Sequence, residues 1–589
     1  MMKSMLKKYG WGMVLLSVFV VLFLLLQFTG AYHFFYIEQN QTFLYSSDFA
    51  YNVIADVGGL SAYVAVFLLQ FFIIPYVGAL ICAALFSLII IASAFVIRKQ
   101  LPAYYSFILY MSPAVALLFV QMNVYYFLQG TVAYLFCLWV LDLYVSIKKF
   151  PYRFLIGILS VPVLFYAAGP VSGLFVVSAV IYDVLGGKHS LAKVLALVAF
   201  LILGVLFPLF SVYLMQVGSC RMAFLPDFYY NSSIKPMWNI YLSWIVFPVG
   251  LLFIPLLKGI KRIPAIGLWC GVQAVIVTVA VIYCVSSFFY LGHNRLKAMN
   301  YYAYVGDWDR IIQESRGQKL DARQLNYLNL ALSKKGVLAD YMFLFDQRGK
   351  EGLIKKFEFN DDYFVLSDCY FNIGAIAKSQ HLALSSNVAI GVKYNNPRML
   401  QRMVQCCLIL GEYPAAEKLL LLLDKTLFYR DWAEKYRRFL YNDEAVLADE
   451  ELGEKRKALS VKGDKSFLAD TKDHLIEVLK ADVSNKKYVS YLGCEYLLEK
   501  DMAGFKAFVG EYFGTPALAV LPRSFEEAVM VYSESDSDYW KRYGVSPATV
   551  ERHKQYKQMF LSNRNSPNLR SIMSRNFGDT YWYYMMFKN

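Results

Sequence analysis

Apolar runs long enough to cross a lipid bilayer fill the first half of this chain and do not occur in the second. A crossing needs about 20 largely apolar residues, and Trp11 to Phe28 begins the series. Charge divides the same way. Up to Tyr290 there are 15 Lys+Arg and 6 Asp+Glu, leaving 43 and 38 of the totals of 58 and 44 for the rest of the 589 residues. Charged residues are thus about 7% of the first half and about 27% of the second. The overall hydrophobic content of 58% exceeds the roughly 45–50% of soluble proteins, and the first half carries the excess. An all-α fold follows: a transmembrane domain over residues 1–290, then a soluble domain over 291–589. The latter is long enough for its own core or a repeat array.

Trp11–Phe28 is too long and too evenly apolar for a signal peptide, and no A-x-A site follows it, so it reads as a retained span. The next apolar run, Ser61 to Ile97, is too long for one span, and Pro75 divides it into a shorter piece and a span from about Tyr76. Further spans are expected near 103–121, 124–146, 154–169, 172–186, 191–215, 239–257 and 264–288. That makes about nine. Every second connection is basic: Lys3, Lys7 and Lys8; Arg98 and Lys99; Lys148, Lys149 and Arg153; Lys188 and Lys193; Lys258, Lys261 and Arg262. The other connections hold only Arg221 and Lys235. Lys and Arg mark the cytoplasmic side. The N-terminus is therefore expected inside and the second domain outside, the periplasm if this is a bacterial inner-membrane protein. External loops then fall at 31–60 and 216–238.

The net charge of +14 does not signal nucleic acid. Nine of those charges sit between the spans, and the second half alternates its signs as a solvated surface does. The nine cysteines form no C-x-x-C and no zinc-like spacing with His. The pair Cys406-Cys407 reads as helix core. No P-loop, G-x-S-x-G, H-E-x-x-H or G-x-G-x-x-G is present, and the six His are scattered. No metal site is expected from these residues.

From Asn294 on, apolar residues recur at three and four, with sparse Pro and Gly. A turn recurs too: Gly306 with Trp308, Gly336 with Leu338, Gly411 with Tyr413 and Ala416, and the run Leu492-Gly493-x-x-Tyr496. These spacings resemble tetratricopeptide repeats. In that family a Gly lets two antiparallel helices approach, an aromatic fills the gap and a small residue seats the second helix. The resemblance is good at 403–423 and 488–509, fair at 300–345 and weak at 360–397, with no constant period, so the repeats are degenerate. Stacked hairpins make a concave face that binds a protein or peptide partner. The terminal aromatics Tyr581 to Tyr584 suit a membrane interface, a sugar ring or the closing of the last hairpin.

The stretches "FLLQFFIIPYVGAL", "LNLALSKKGVLADYMFLFDQ" and "YPAAEKLLLLLDKTLFYRDWA" are similar to an uncharacterised Bacteroides-type membrane protein family with a tetratricopeptide-like tail. That resemblance implies no activity. The order of one long span, an acidic outer loop and a broken apolar run also resembles the GT-C superfamily of glycosyltransferases. That topology implies a polyprenyl-linked sugar donor, an acid on the first outer loop as base or metal ligand, and a divalent cation where the acid is a ligand. On this chain the acids are, in order of preference, Asp48, Glu38 and Asp56. A carboxylate can align or deprotonate an acceptor, and Arg221 or Lys235 would face the leaving phosphate. Each acid is equally accounted for by helix capping or loop solvation. Three functions stay open: a transferase of cell-envelope biogenesis whose repeats hold a protein or glycan acceptor, a non-enzymatic scaffold that recruits protein partners, and a transporter or flippase. Against the last, Asp142 and Asp183 lie near expected cytoplasmic ends of spans, where water reaches.

Overall fold

The computed structural model describes residues 2–101, 107–186, 190–259, 266–288, 291–358, 362–390, 395–459, 469–533 and 536–588. Its regular elements are helices, and among the described residues pairing of extended backbone is limited to three isolated bridges. Two compact units are present: residues 1–294 with 425–428, and residues 295–424 with 429–589.

The first unit contains α1 (Met2–Glu38), α2 (Ser47–Ile54), α3 (Gly59–Leu69), α4 (Val77–Arg98), α5 (Phe107–Gln121), α6 (Leu128–Ser146), α7 (Phe150–Ala168), α8 (Val171–Leu185), α9 (Leu191–Tyr213), α10 (Cys220–Phe224), α11 (Asn239–Leu252), α12 (Ile254–Gly259) and α13 (Ile266–Phe288). Six stretches among the described residues are long and apolar enough to cross a membrane: Gly12–Glu38, Val77–Arg98, Leu128–Ser146, Phe150–Ala168, Leu191–Tyr213 and Asn239–Lys258. This fits a membrane protein, with fewer such stretches among the described residues than the nine spans expected. The other expected crossings are shorter apolar helices, Phe107–Gln121, Val171–Leu185 and Leu268–Cys284. At 1.5 Å per residue, a 15-residue helix such as α5 or α8 reaches only about 22 Å of a roughly 30 Å core. The starts of two of these expected spans, at 103–106 and 264–265, lie outside the described residues. Pro75 does separate a short helical piece, Gly59–Ile73, from α4.

Helix α4 packs on α1, α5 and α6, and α8 on α6, α7, α9 and α11. Inside this bundle, side-chain amides cross-link the backbone. Gln129 Nε2 donates to the Gly58 carbonyl (3.1 Å), Asn123 Nδ2 to the Tyr230 hydroxyl (2.9 Å), and Thr131 Oγ1 to Gln121 Oε1 (2.7 Å). Buried polar groups need such partners, and in apolar surroundings they tie helices together.

The second unit contains α14 (Leu291–Val305), α15 (Trp308–Ser315), α16 (Ala322–Lys334), α17 (Leu338–Tyr341), α18 (Asp362–Asn372), α19 (Ile376–Ile390), α20 (Pro397–Leu410), α21 (Tyr413–Leu423), α22 (Arg430–Arg437), α23 (Asp443–Ala448), α24 (Glu450–Ala458), α25 (Thr471–Ala481), α26 (Lys486–Glu499), α27 (Met502–Tyr512), α28 (Arg523–Tyr532), α29 (Ser537–Arg542), α30 (Pro547–Asn563), α31 (Leu569–Phe577) and α32 (Tyr581–Phe587). One turn joins its hairpins repeatedly. Gly306, Gly336, Gly374, Gly411, Lys500 and Gly544 are all left-handed. In each case the next amide donates to the carbonyl five residues back: Asp307 to Tyr302, Val337 to Leu332, Ala375 to Tyr370, Glu412 to Cys407, Asp501 to Tyr496 and Val545 to Trp540, at 2.8–3.0 Å. This hydrogen bond caps a helix end in the manner of a Schellman turn. A left-handed residue there is cheapest as Gly, which is why five of the six are Gly. Gly493 has a different role. It lies within α26, where an added Cβ would come 2.2 Å from Cζ of Phe525, so α28 can approach only a bare backbone.

The last helices close the unit. Tyr581, Trp582, Tyr583 and Tyr584 are all buried, with Trp582 and Tyr583 in a core beside Tyr556, Met573 and Phe577. The Tyr581 amide and the Trp582 indole donate to the Glu527 carboxylate (2.6 Å) and carbonyl (2.8 Å).

Candidate functional site

The five residues singled out on the loops 31–60 and 216–238 sit in different surroundings. Glu38 ends α1 and is buried. Asp48 is exposed in the first turn of α2. There the Ser46 hydroxyl accepts from the Phe49 amide (3.3 Å), and a carboxylate suits the helix N-terminus. Asp56 is exposed in the turn before α3, where its carbonyl accepts from the Gly59 amide (2.9 Å). The three acids therefore share no common environment. Arg221, in α10, is drawn to Asp227, a buried acid of its own loop. Tyr241 of α11 joins them, accepting from Arg221 Nη2 (2.7 Å) and donating to Asp227 Oδ1 (3.1 Å). Lys235 is exposed. Among the described residues no group of three or more His, Cys, Asp and Glu is arranged to hold a metal ion.

The second unit holds a built polar groove that the sequence pattern had left as solvated surface. It is a cavity of about 430 Å³ lined by α14, α15, α16, α18, α20, α22 and α24. Helix α20 supplies Arg398, Gln401, Arg402 and Gln405, spaced i, i+3, i+4, i+7 along one face, while Met399, Val404 and Cys406 bury in the core behind. Asp368 of α18 receives both guanidinium groups: Arg398 pairs with one carboxylate oxygen, and Arg402 Nη2 lies 2.8 Å from the other. The Arg402 guanidinium lies 3.8 Å from the centroid of the Phe371 ring, a cation–π contact. Its Nη1 donates to Gln405 Oε1 (2.9 Å). Its Nε has no hydrogen-bond partner among the described residues.

A second charge pair forms the far wall. Lys334 of α16 donates to Glu451 of α24 at 2.7 Å. Behind it Lys455 is fully buried, 3.8 Å from Glu451 and 3.7 Å from Glu454. Burial pulls the Lys455 ammonium down to about 7 although Glu451 opposes it. Burial pushes the Glu451 carboxyl up, but Lys334, Lys455 and Arg402 together outweigh that and hold it at about 2. Trp308 and Trp432 flank the charges, and Trp432 stacks on Tyr436 with centroids 3.8 Å apart. A groove with two indole walls, side-chain amides and fixed charges of both signs suits an extended polypeptide, whose backbone and side chains present the matching groups. The spacing on α20 was readable beforehand. Its convergence with Asp368, Lys334 and Glu451 was not.

A single family model runs over residues 7–588. The chain belongs to the family of unknown function DUF6057. The match takes in the apolar helices and the hairpins alike. No curated protein and no solved structure matches the chain.

Proposed function

We propose that this DUF6057 chain is a multi-pass scaffold of the bacterial inner membrane, acting in cell-envelope biogenesis. In this reading the three shorter apolar helices, Phe107–Gln121, Val171–Leu185 and Leu268–Cys284, cross as well, so nine crossings leave the second unit periplasmic, where its degenerate tetratricopeptide-like hairpins recruit a protein partner. The observation that carries it is the groove centred on Arg402, where buried charges, amides and two indoles converge. Photo-crosslinking residues placed at Gln401 and Gln405 in living cells are expected to give a defined adduct with a protein partner. Arg402→Ala should reduce it about tenfold or more, since a hydrogen bond to a charged group is worth about 1.5–3 kcal/mol. An absent adduct, or one indifferent to Arg402→Ala, overturns the reading. The orientation rests on the one-sided Lys and Arg. Alkaline phosphatase fused after Tyr290 is expected to be active, and a fusion active only as a cytoplasmic reporter overturns the periplasmic placement.

The enzymatic alternative is a GT-C-like transfer from a polyprenyl-linked sugar. One observation favours a particular acid for it: of the three, only Glu38 is withdrawn from solvent, where a carboxylate can align an acceptor away from bulk water. Under this reading Glu38→Gln abolishes the envelope glycan made by the wild type in a deletion background. Full complementation by Glu38→Gln removes it.

A further inference from the structure

Helix α18 serves two cavities. Asp368 and Phe371 face the groove described above, whereas Tyr363, Leu366 and Tyr370, at i, i+3 and i+7, line a second cavity of about 520 Å³. That volume lies within the range of small-molecule sites. The rest of its wall comes from residues 350–357, α19, Asp470 with Thr471 at the start of α25, and Tyr491 and Glu495 of α26. We propose that this second cavity binds an acidic saccharide, with Glu495 accepting its ring hydroxyls, Phe357 and Tyr363 lying against the sugar face, and Lys356 meeting its carboxylate.

Glu495 is the decisive group. It is only 4% exposed, it lines the cavity, and one carboxylate oxygen has no hydrogen-bond partner among the described residues. A buried polar atom without a partner is costly, and a ligand hydroxyl removes that cost. Burial, then Glu499 and Asp470, push its carboxyl up to about 7 against Lys472 and Lys350, so it can accept or donate. The aromatic wall selects the kind of ring. Phe357 and Tyr363 are in contact, centroids 4.7 Å apart and tilted by 39°. They form one continuous apolar face rather than a slot that would sandwich a planar base. That face suits the C–H side of a pyranose.

The cations set the charge of the ligand. Lys350, Lys355, Lys356 and Lys378 line the cavity, against the acids Asp470 and Glu495. Lys355 is held inward by Asp362 (2.6 Å), and Lys350 by Glu499 (2.9 Å). Lys378 donates to the Ala469 carbonyl (2.6 Å) above the Tyr370 ring. Lys356 is exposed at the rim. Asp362 and Glu499 offset Lys355 and Lys350, so Lys356 at the rim is the cation for the ligand's carboxylate, and a neutral sugar would leave it unused.

The test uses the full chain in detergent micelles, titrated calorimetrically with trigalacturonate, neutral maltotriose and adenosine monophosphate. Trigalacturonate is expected to bind with sub-millimolar affinity, and the other two at least about tenfold more weakly. Glu495→Gln and Lys356→Ala should each weaken trigalacturonate about tenfold. Lys356 is exposed, so its variant reports even if the Glu495 variant folds poorly. Absence of heat up to about 10 mM trigalacturonate, equal binding of maltotriose or the nucleotide, or indifference to Lys356→Ala overturns the proposal.

Discussion

Asp368→Ala is expected to destabilise the second unit by about 3–5 kcal/mol, the usual cost of stranding a buried charge. Asp368 is 8% exposed and its two partners, Arg398 and Arg402, are 7% and 17% exposed. Truncating the acid leaves two guanidinium groups in a poorly solvated groove with one carboxylate fewer to neutralise them. Neither can swing out freely. Arg398 lies near the rings of Tyr304 and Phe364, and Arg402 is pinned on Phe371. The measurement is a urea melt of the detergent-solubilised chain followed by tryptophan fluorescence. Asp309→Ala is the control: Asp309 is 77% exposed and pairs with Lys335, 43% exposed, and such pairs contribute little. A loss of less than about 1 kcal/mol for Asp368→Ala would mean that water reaches these guanidinium groups and that the groove is not the dry, fixed site described.

What could be read from the chain beforehand follows from the range of each interaction. Apolar and charged halves are properties of composition, and the helical hairpins are local. Gly306, Gly336 and Gly411 announce their turns because helix, turn and next helix are contiguous. Gly374 makes the same turn, though the segment 360–397 resembled the repeat only weakly. At Lys500 a lysine adopts the left-handed conformation, and no residue pattern marks it. The groove stayed hidden for another reason. Its pairs join residues 30, 34 and 117 positions apart, and charges read singly along a helix resemble any solvated face. The span count differs at the shorter helices: α8 has 15 residues, and α5 and α13 begin beside residues outside those described. On the loop 31–60 the acids were visible but their burial was not. Glu38 sits at the end of a long helix and Asp48 at the start of a short one, and only packing distinguishes them.

Asp183 is where position along a span misled most, and it supports the second large effect. An acid near the end of a span was expected to stay wet, but Asp183 is fully buried. Four helices meet on it. Tyr144 of α6 donates to its carboxylate at 2.6 Å, and Arg153 of α7, 13% exposed, pairs with the other oxygen. Lys193 of α9 donates to its carbonyl at 2.7 Å. Between positions 148 and 193 the sequence has five basic residues, Lys148, Lys149, Arg153, Lys188 and Lys193, and one acid, Asp183, which is the anion that lets Arg153 pack inside the bundle. Asp183→Ala should therefore cost about 3–5 kcal/mol by stranding Arg153. Removing both charges with Asp183→Leu and Arg153→Leu should restore most of the loss, because a buried pair pays its desolvation twice and apolar side chains pay none. Thermal unfolding of the two variants beside the wild type, with the single Arg153→Leu chain completing the cycle, separates the outcomes. If the double variant is as unstable as Asp183→Ala, the aspartate acts through its hydrogen bond to Tyr144 and its packing rather than by neutralising Arg153.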